Sequence, residues 1–95
     1  MVAYPAGEGT TFDRGYYVLT HLPLVRSAWG PHGLTDATGY FPEGGEGAPM
    51  AIAILTFRDA AAREAALGSA EAGPVFGDIP NFTNAAPVPT PLAVG

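Results

Sequence analysis

The run MAIAILTF at Met50–Phe57 constrains the fold more than any other part of the chain, because it offers no polar face. At strand periodicity Met50, Ile52, Ile54 and Thr56 line one side, and Ala51, Ala53, Leu55 and Phe57 line the other. The run is far shorter than the roughly 20 residues a membrane helix needs, so it reads as a strand covered on both sides. Helices can cover one face of a sheet. Water would be left against the other unless a second layer seals it. The simplest cover is a second copy of the same sheet in a two-fold homodimer.

The flanking segments supply the remaining elements. Met1–Tyr4 is a short apolar run stopped by Pro5, an edge strand by composition. Thr11 is placed to cap a helix with Phe12 and Asp13 in its first turn. Tyr17, His21, Leu24 and Ala28 then recur at helical spacing and share one face, with Tyr16, Thr20 and Pro23 on a neighbouring stripe. Pro23 lacks an N–H and crowds the carbonyl of Leu19, so the helix either ends near Leu22 or runs bent to about Ala28. Leu34–Phe41 reads as a strand, Pro42–Pro49 as a turn-rich loop, and Asp59 as the cap of a helix over Ala60–Leu67. Ser69 is expected to start a shorter helical piece through Ala72–Phe76, and the proline-rich tail Pro87–Val94 to form an edge strand. The order predicts an α+β fold, a ferredoxin-like βαββαβ protomer with an antiparallel sheet, as one domain over residues 1–95.

Composition excludes several classes of function. Four arginines and no lysine stand against nine acids, and the net charge of -5 repels phosphate backbones and anionic membrane surfaces. Neither nucleic acid nor a membrane is therefore an expected partner. Without cysteine there is no disulfide framework and no thiolate nucleophile or ligand, which fits a cytoplasmic protein. The N-terminus has no basic, apolar signal region. Gly44, Gly45 and Gly47 lie between strands beside Glu43 and Glu46, which does not make a phosphate cradle, and no dinucleotide fingerprint or serine elbow is present. No cofactor is expected, and two histidines without a placed carboxylate set make no metal site.

Chemistry concentrates in Phe12–Gly33, which holds four aromatics, both histidines and the only tryptophan. His21 is the first catalytic candidate, since an imidazole titrates near neutrality and can move a proton to or from a small substrate. The blander alternative is a core histidine bonded to a backbone carbonyl. Asp78 is the acid to pair with His21, unless it only holds its own loop through backbone amides. Tyr17, one turn before His21, could donate to a substrate or to the imidazole. Trp29, Phe57, Phe76 and Phe82 are candidate walls of an apolar pocket, with His32 in a loop, although a small core needs such aromatics in any case, Phe57 and Phe76 above all.

The segments FDRGYYVLTHLPLVRSAWGPHG and DIPNFTNAAPV, in this order and spacing, resemble the EthD family of the dimeric α/β-barrel superfamily. The parts that carry the resemblance are Phe12-Asp13, Tyr16-Tyr17, His21-Leu22-Pro23-Leu24, and Asp78 with Asn81-Phe82-Thr83-Asn84. It implies a ferredoxin-like protomer, a barrel dimer, and association with ethyl tert-butyl ether degradation in the founding system. Superfamily relatives include isomerases, monooxygenases and dehydrochlorinases, so fold transfers better than reaction. The expected function is proton transfer or cofactor-free oxidation of a small apolar or aromatic metabolite, in a catabolic or secondary-metabolic pathway. The alternative is a non-catalytic binder, or an accessory to a partner oxidoreductase.

Overall fold

The computed structural model describes residues 1–93. Its elements are β1 (Val2–Tyr4), α1 (Arg14–Tyr16), α2 (Leu22–Trp29), β2 (Leu34–Tyr40), β3 (Ala51–Phe57), α3 (Ala60–Leu67), α4 (Ala72–Gly77) and β4 (Val88–Pro89). The four strands form one antiparallel sheet in the order β2-β3-β1-β4, the ferredoxin-like arrangement expected. The tail strand is shorter than its sequence suggests. Val88 and Pro89 pair with Ala3 and Val2 at the sheet edge, where a proline's missing N–H costs least. Val94, the last residue of the expected strand, lies outside the described residues.

The first helix departs from its expected phasing. Asp13, not Thr11, is the cap, and its carboxylate accepts the Tyr16 N–H at 3.0 Å. Between α1 and α2 the chain makes a π turn, Tyr17–His21, in which the Leu22 N–H reaches the Tyr17 carbonyl. A wide turn placed before Pro23 relieves the crowding between its ring and the Leu19 carbonyl, so the helix passes through the proline to Trp29. The extra residue in the turn moves the buried stripe on by one position. It runs Tyr17, His21 and Leu22, Val25, Trp29, leaving Leu24 and Ala28 half-buried at its flank.

Further along, Asp59 caps α3 as expected, accepting the Ala62 N–H at 2.7 Å. Ser69 turns back instead of starting α4, its hydroxyl donating to the Ala66 carbonyl at 2.6 Å. The helices cover the face of β3 that carries Ala51 and Ala53, both buried. On β2 the same face carries Gly39, opposite Ala53. A Cβ on Gly39 would stand 2.8 Å from Tyr17 Cε2 and 3.3 Å from Leu22 Cδ1, and the Tyr17 ring is fully buried with no room to move. Gly39→Val is expected to lower stability by roughly 2–3 kcal/mol, because overpacking outweighs the ~0.5–1 kcal/mol a strand gains on losing a glycine. A urea midpoint at or above wild type would contradict this packing.

On the opposite face lie Ala3, Ile52, Ile54 and Tyr40, with Val88 beside Ala3 at the edge. Tyr40 is 54% exposed and Val88 48%, while Ile52 and Ile54 are half-buried, so an apolar surface is left open across the sheet.

Candidate functional site

The site forms where the π turn meets the segment after α4. His21 Nδ1 lies 2.9 Å from Asp78 Oδ2, with the histidine side chain 4% and the aspartate 12% exposed. Asp78 Oδ1 accepts from the Tyr16 hydroxyl at 2.6 Å and from Asn81 Nδ2 at 3.0 Å. All its partners are side chains, not the backbone amides that a purely loop-holding aspartate would bind. Burial alone would raise the Asp78 carboxyl. The bonds from Tyr16, Asn81 and His21 outweigh burial and hold it below the ordinary carboxylate value.

An ionised carboxylate can only accept, so Nδ1 of His21 carries the proton and Nε2 presents a lone pair. Burial lowers the His21 pKa, and the attraction of Asp78 only partly offsets it. The imidazole is therefore neutral at pH 7 with its basic nitrogen selected. No hydrogen-bond partner meets Nε2 among the described residues. The Phe82 ring stands 4.5 Å from the imidazole and Tyr17 stacks on it at 5.6 Å, both measured between centroids. The blander alternative, a core histidine bonded to a backbone carbonyl, is not what the structure contains.

Tyr17 does not donate to the imidazole, since stacking directs its hydroxyl elsewhere. That hydroxyl is buried near the Tyr4 hydroxyl but meets no group in hydrogen-bonding geometry among the described residues, and burial pushes the phenol up to about 12. Tyr17→Phe is expected to leave stability unchanged or raise it by about 1 kcal/mol, because an unpaired buried hydroxyl is removed while the ring stays. A loss above about 1 kcal/mol on thermal unfolding would mean the hydroxyl has a partner after all.

Tyr16 is the residue the sequence reading passed over. Tyr16 and His21 are five apart, a spacing that an α-helix splays and a π turn brings to one side, so α-helical counting selected Tyr17. Its bond to Asp78 raises the Tyr16 phenol. Asn81 was visible as part of the DIPNFTN segment, but nothing in sequence tied it to Asp78.

The expected pocket walls are divided. Phe82 belongs to the His21 site, whereas Trp29 packs with Phe57 and Phe76 at centroid distances of 6.2 and 5.9 Å, two helical turns away. His32 sits at the surface, Nε2 3.2 Å from Glu71. A cleft of about 380 Å³ borders the site, lined by Thr11, Asp13, Asn81 and Phe82 among others, but neither His21 nor Asp78 opens into it. No group of three metal-ligating side chains occurs among the described residues. Nor is any described helix long and apolar enough to cross a membrane.

A βαββαβ protomer with one face of its sheet covered by helices, and a carboxylate-oriented histidine at the helix bend, defines a ferredoxin-like α+β domain. An EthD-like protein from Ralstonia eutropha JMP134, known from its crystal structure, is 32% identical to this chain and superposes on it with a TM-score of 0.77. The match covers 92% of this chain and 81% of that one. The chain belongs to the EthD-like family. No protein-family model matches it, and no curated protein sequence does.

Proposed function

We propose that two copies of the chain pack their open sheet faces together and that His21 transfers a proton on a small, mostly apolar or aromatic molecule held beside Phe82. The observation that carries this reading is the His21–Asp78 pair: a buried, neutral imidazole whose Nδ1 is held by a carboxylate and whose Nε2 has no protein partner. In the reaction Nε2 accepts a proton from an acidic C–H or O–H of the ligand, and Asp78 stabilises the imidazolium that forms. Returning the proton to another ligand atom completes an isomerisation or assists elimination. The same base could form a substrate anion from which dioxygen, the oxidant in that case, takes the electrons in a cofactor-free oxidation.

The dimer is supported by the apolar face of Ala3, Tyr40, Ile52 and Ile54, which no described element covers. A role in a catabolic or secondary-metabolic pathway, ether degradation included, and a cytoplasmic setting are part of this reading, and kinship with an EthD-like protein supports the first. One observation favours a second reading, a carrier serving a partner oxidoreductase: the cleft beside Asn81 and Phe82 is open and excludes His21.

Native mass spectrometry of the gently purified protein tests the assembly and the ligand together. A dimer with a bound small molecule is the expected result. An empty monomer would overturn both the dimer and the enclosed site.

A further inference from the structure

Thr83 and Asn84, in the motif after Asp78, take no part in the proposed proton transfer, yet they are bonded at close range to the segment before α1. The Thr83 hydroxyl donates to the Thr11 carbonyl at 2.6 Å and accepts the Ala85 N–H at 3.0 Å, and Thr83 itself is buried. Asn84 grips the same segment with both ends of its amide: Oδ1 accepts the Thr11 N–H at 2.9 Å and Nδ2 donates to the Gly9 carbonyl at 3.0 Å. The Asp13 N–H adds a bond to the Phe82 carbonyl at 2.7 Å, and Phe12 and Thr83 form an isolated antiparallel bridge.

The Thr83 and Asn84 side-chain bonds to Gly9 and Thr11 join residues 72 to 75 positions apart. They also enclose the two that meet the imidazole from outside its own helix. Phe82 lies between the bonded positions, and Asp78 is tied to the same short turn through Asn81, whose N–H reaches the Asp78 carbonyl at 3.0 Å. The Asp78 N–H reaches the Pro74 carbonyl at 3.1 Å, which ties it to the end of α4, but no backbone bond joins it to the helix that carries His21, so its approach to the imidazole depends on where this turn is held.

We infer that Thr83 and Asn84 form a latch, a pair of positioning residues that hold Asp78 and Phe82 against His21 by fastening the turn after α4 to the strand-to-helix connection at Gly9–Asp13. The inference rests on the proposed role of His21, but its test does not need turnover. The titratable side chains around the imidazole are Asp78, Tyr16 and Tyr17, and Phe82 closes the remaining side. Releasing the latch withdraws Phe82 and Asp78 together. Because burial is the larger influence on His21, the imidazole then titrates closer to an ordinary histidine.

The test is an NMR titration of both histidine rings in wild type, Thr83→Val, Thr83→Ser and Asn84→Ala. Thr83→Val keeps the shape and removes the hydroxyl; Thr83→Ser restores the hydroxyl. The His21 midpoint is expected to rise toward 6.5 in Thr83→Val and Asn84→Ala and to stay at its wild-type value in Thr83→Ser, with His32 unmoved throughout. Asn84 is exposed, so its variant remains folded even should the buried Thr83→Val not. An unchanged His21 midpoint in folded Asn84→Ala overturns the latch, as does an equal shift of both histidines. If the latch titrates as expected while His21 variants leave ligand chemistry unaltered, the proton-transfer reading fails and the latch stands.

Discussion

Ala53→Asp is expected to destabilise the protein by about 3–5 kcal/mol, the sum of overpacking and of a carboxyl left without a partner under the helices. Ala53 is 4% exposed on the covered face of β3, paired with Val2 and Gly39, and Gly39 already has no space above it. Against the roughly 5–14 kcal/mol usual for a chain of this length, such a loss brings unfolding into the range of mild urea. Ile52→Asp, one residue away, separates the two faces of the strand. Ile52 is only half-buried in the single chain, so a charge there is solvated and the protomer keeps its fold. In a dimer the same charge is sealed between sheets. A folded Ile52→Asp monomer is therefore expected by native mass spectrometry, against the dimer proposed for wild type. An Ile52→Asp protein still dimeric at low micromolar concentration would show that this face is not the interface.

Loss of His21 is expected to cost the chemistry and spare the fold's ligand contacts. For a ligand recovered with the protein, exchange of its acidic hydrogen into D2O should fall by about 10²–10⁴-fold in His21→Gln, the usual contribution of a general base. Asp78→Asn should also slow exchange, because an amide can donate to Nδ1 and favour the tautomer whose proton sits on Nε2. The pH dependence follows from the direction of the His21 shift. Its folded pKa lies below 6.5, so the neutral base persists at pH 6.5 and above, and the rate declines only as pH falls through the lower folded value. Above 6.5 the rate is flat. The unfolded chain takes up the proton first as pH drops, so acid also removes the stability linked to neutral His21 between 6.5 and that lower value. Equal exchange in His21→Gln and wild type would reject the base; a rate that rose on acidification would reject its neutral form.

Much of this protein was readable in one dimension because the signals were local. The alternation at Met50–Phe57, the cap at Asp59 and the order of apolar runs between glycine and proline breaks each depend on neighbours within a few residues. They were enough for the βαββαβ order, and the pairing of His21 with Asp78 came from a motif match that the geometry bears out as a contact. The phase of the first helix was not readable. Pro23 announced a disturbance, but only packing against the sheet chose a π turn over a break, and that choice buried Leu22 and Trp29 where counting by α-helical turns placed Leu24 and Ala28. The same turn set the Tyr16 hydroxyl on Asp78, where helical counting had pointed to Tyr17 as the hydroxyl serving a substrate or the imidazole. Tertiary structure also separated Trp29 and Phe57 from Phe82, aromatics that composition alone could not sort into one cluster or two. The division has a single physical reason: strand and cap signals are carried by short-range backbone preferences, whereas a site is assembled by contacts across more than 50 residues, whose partners no local pattern specifies.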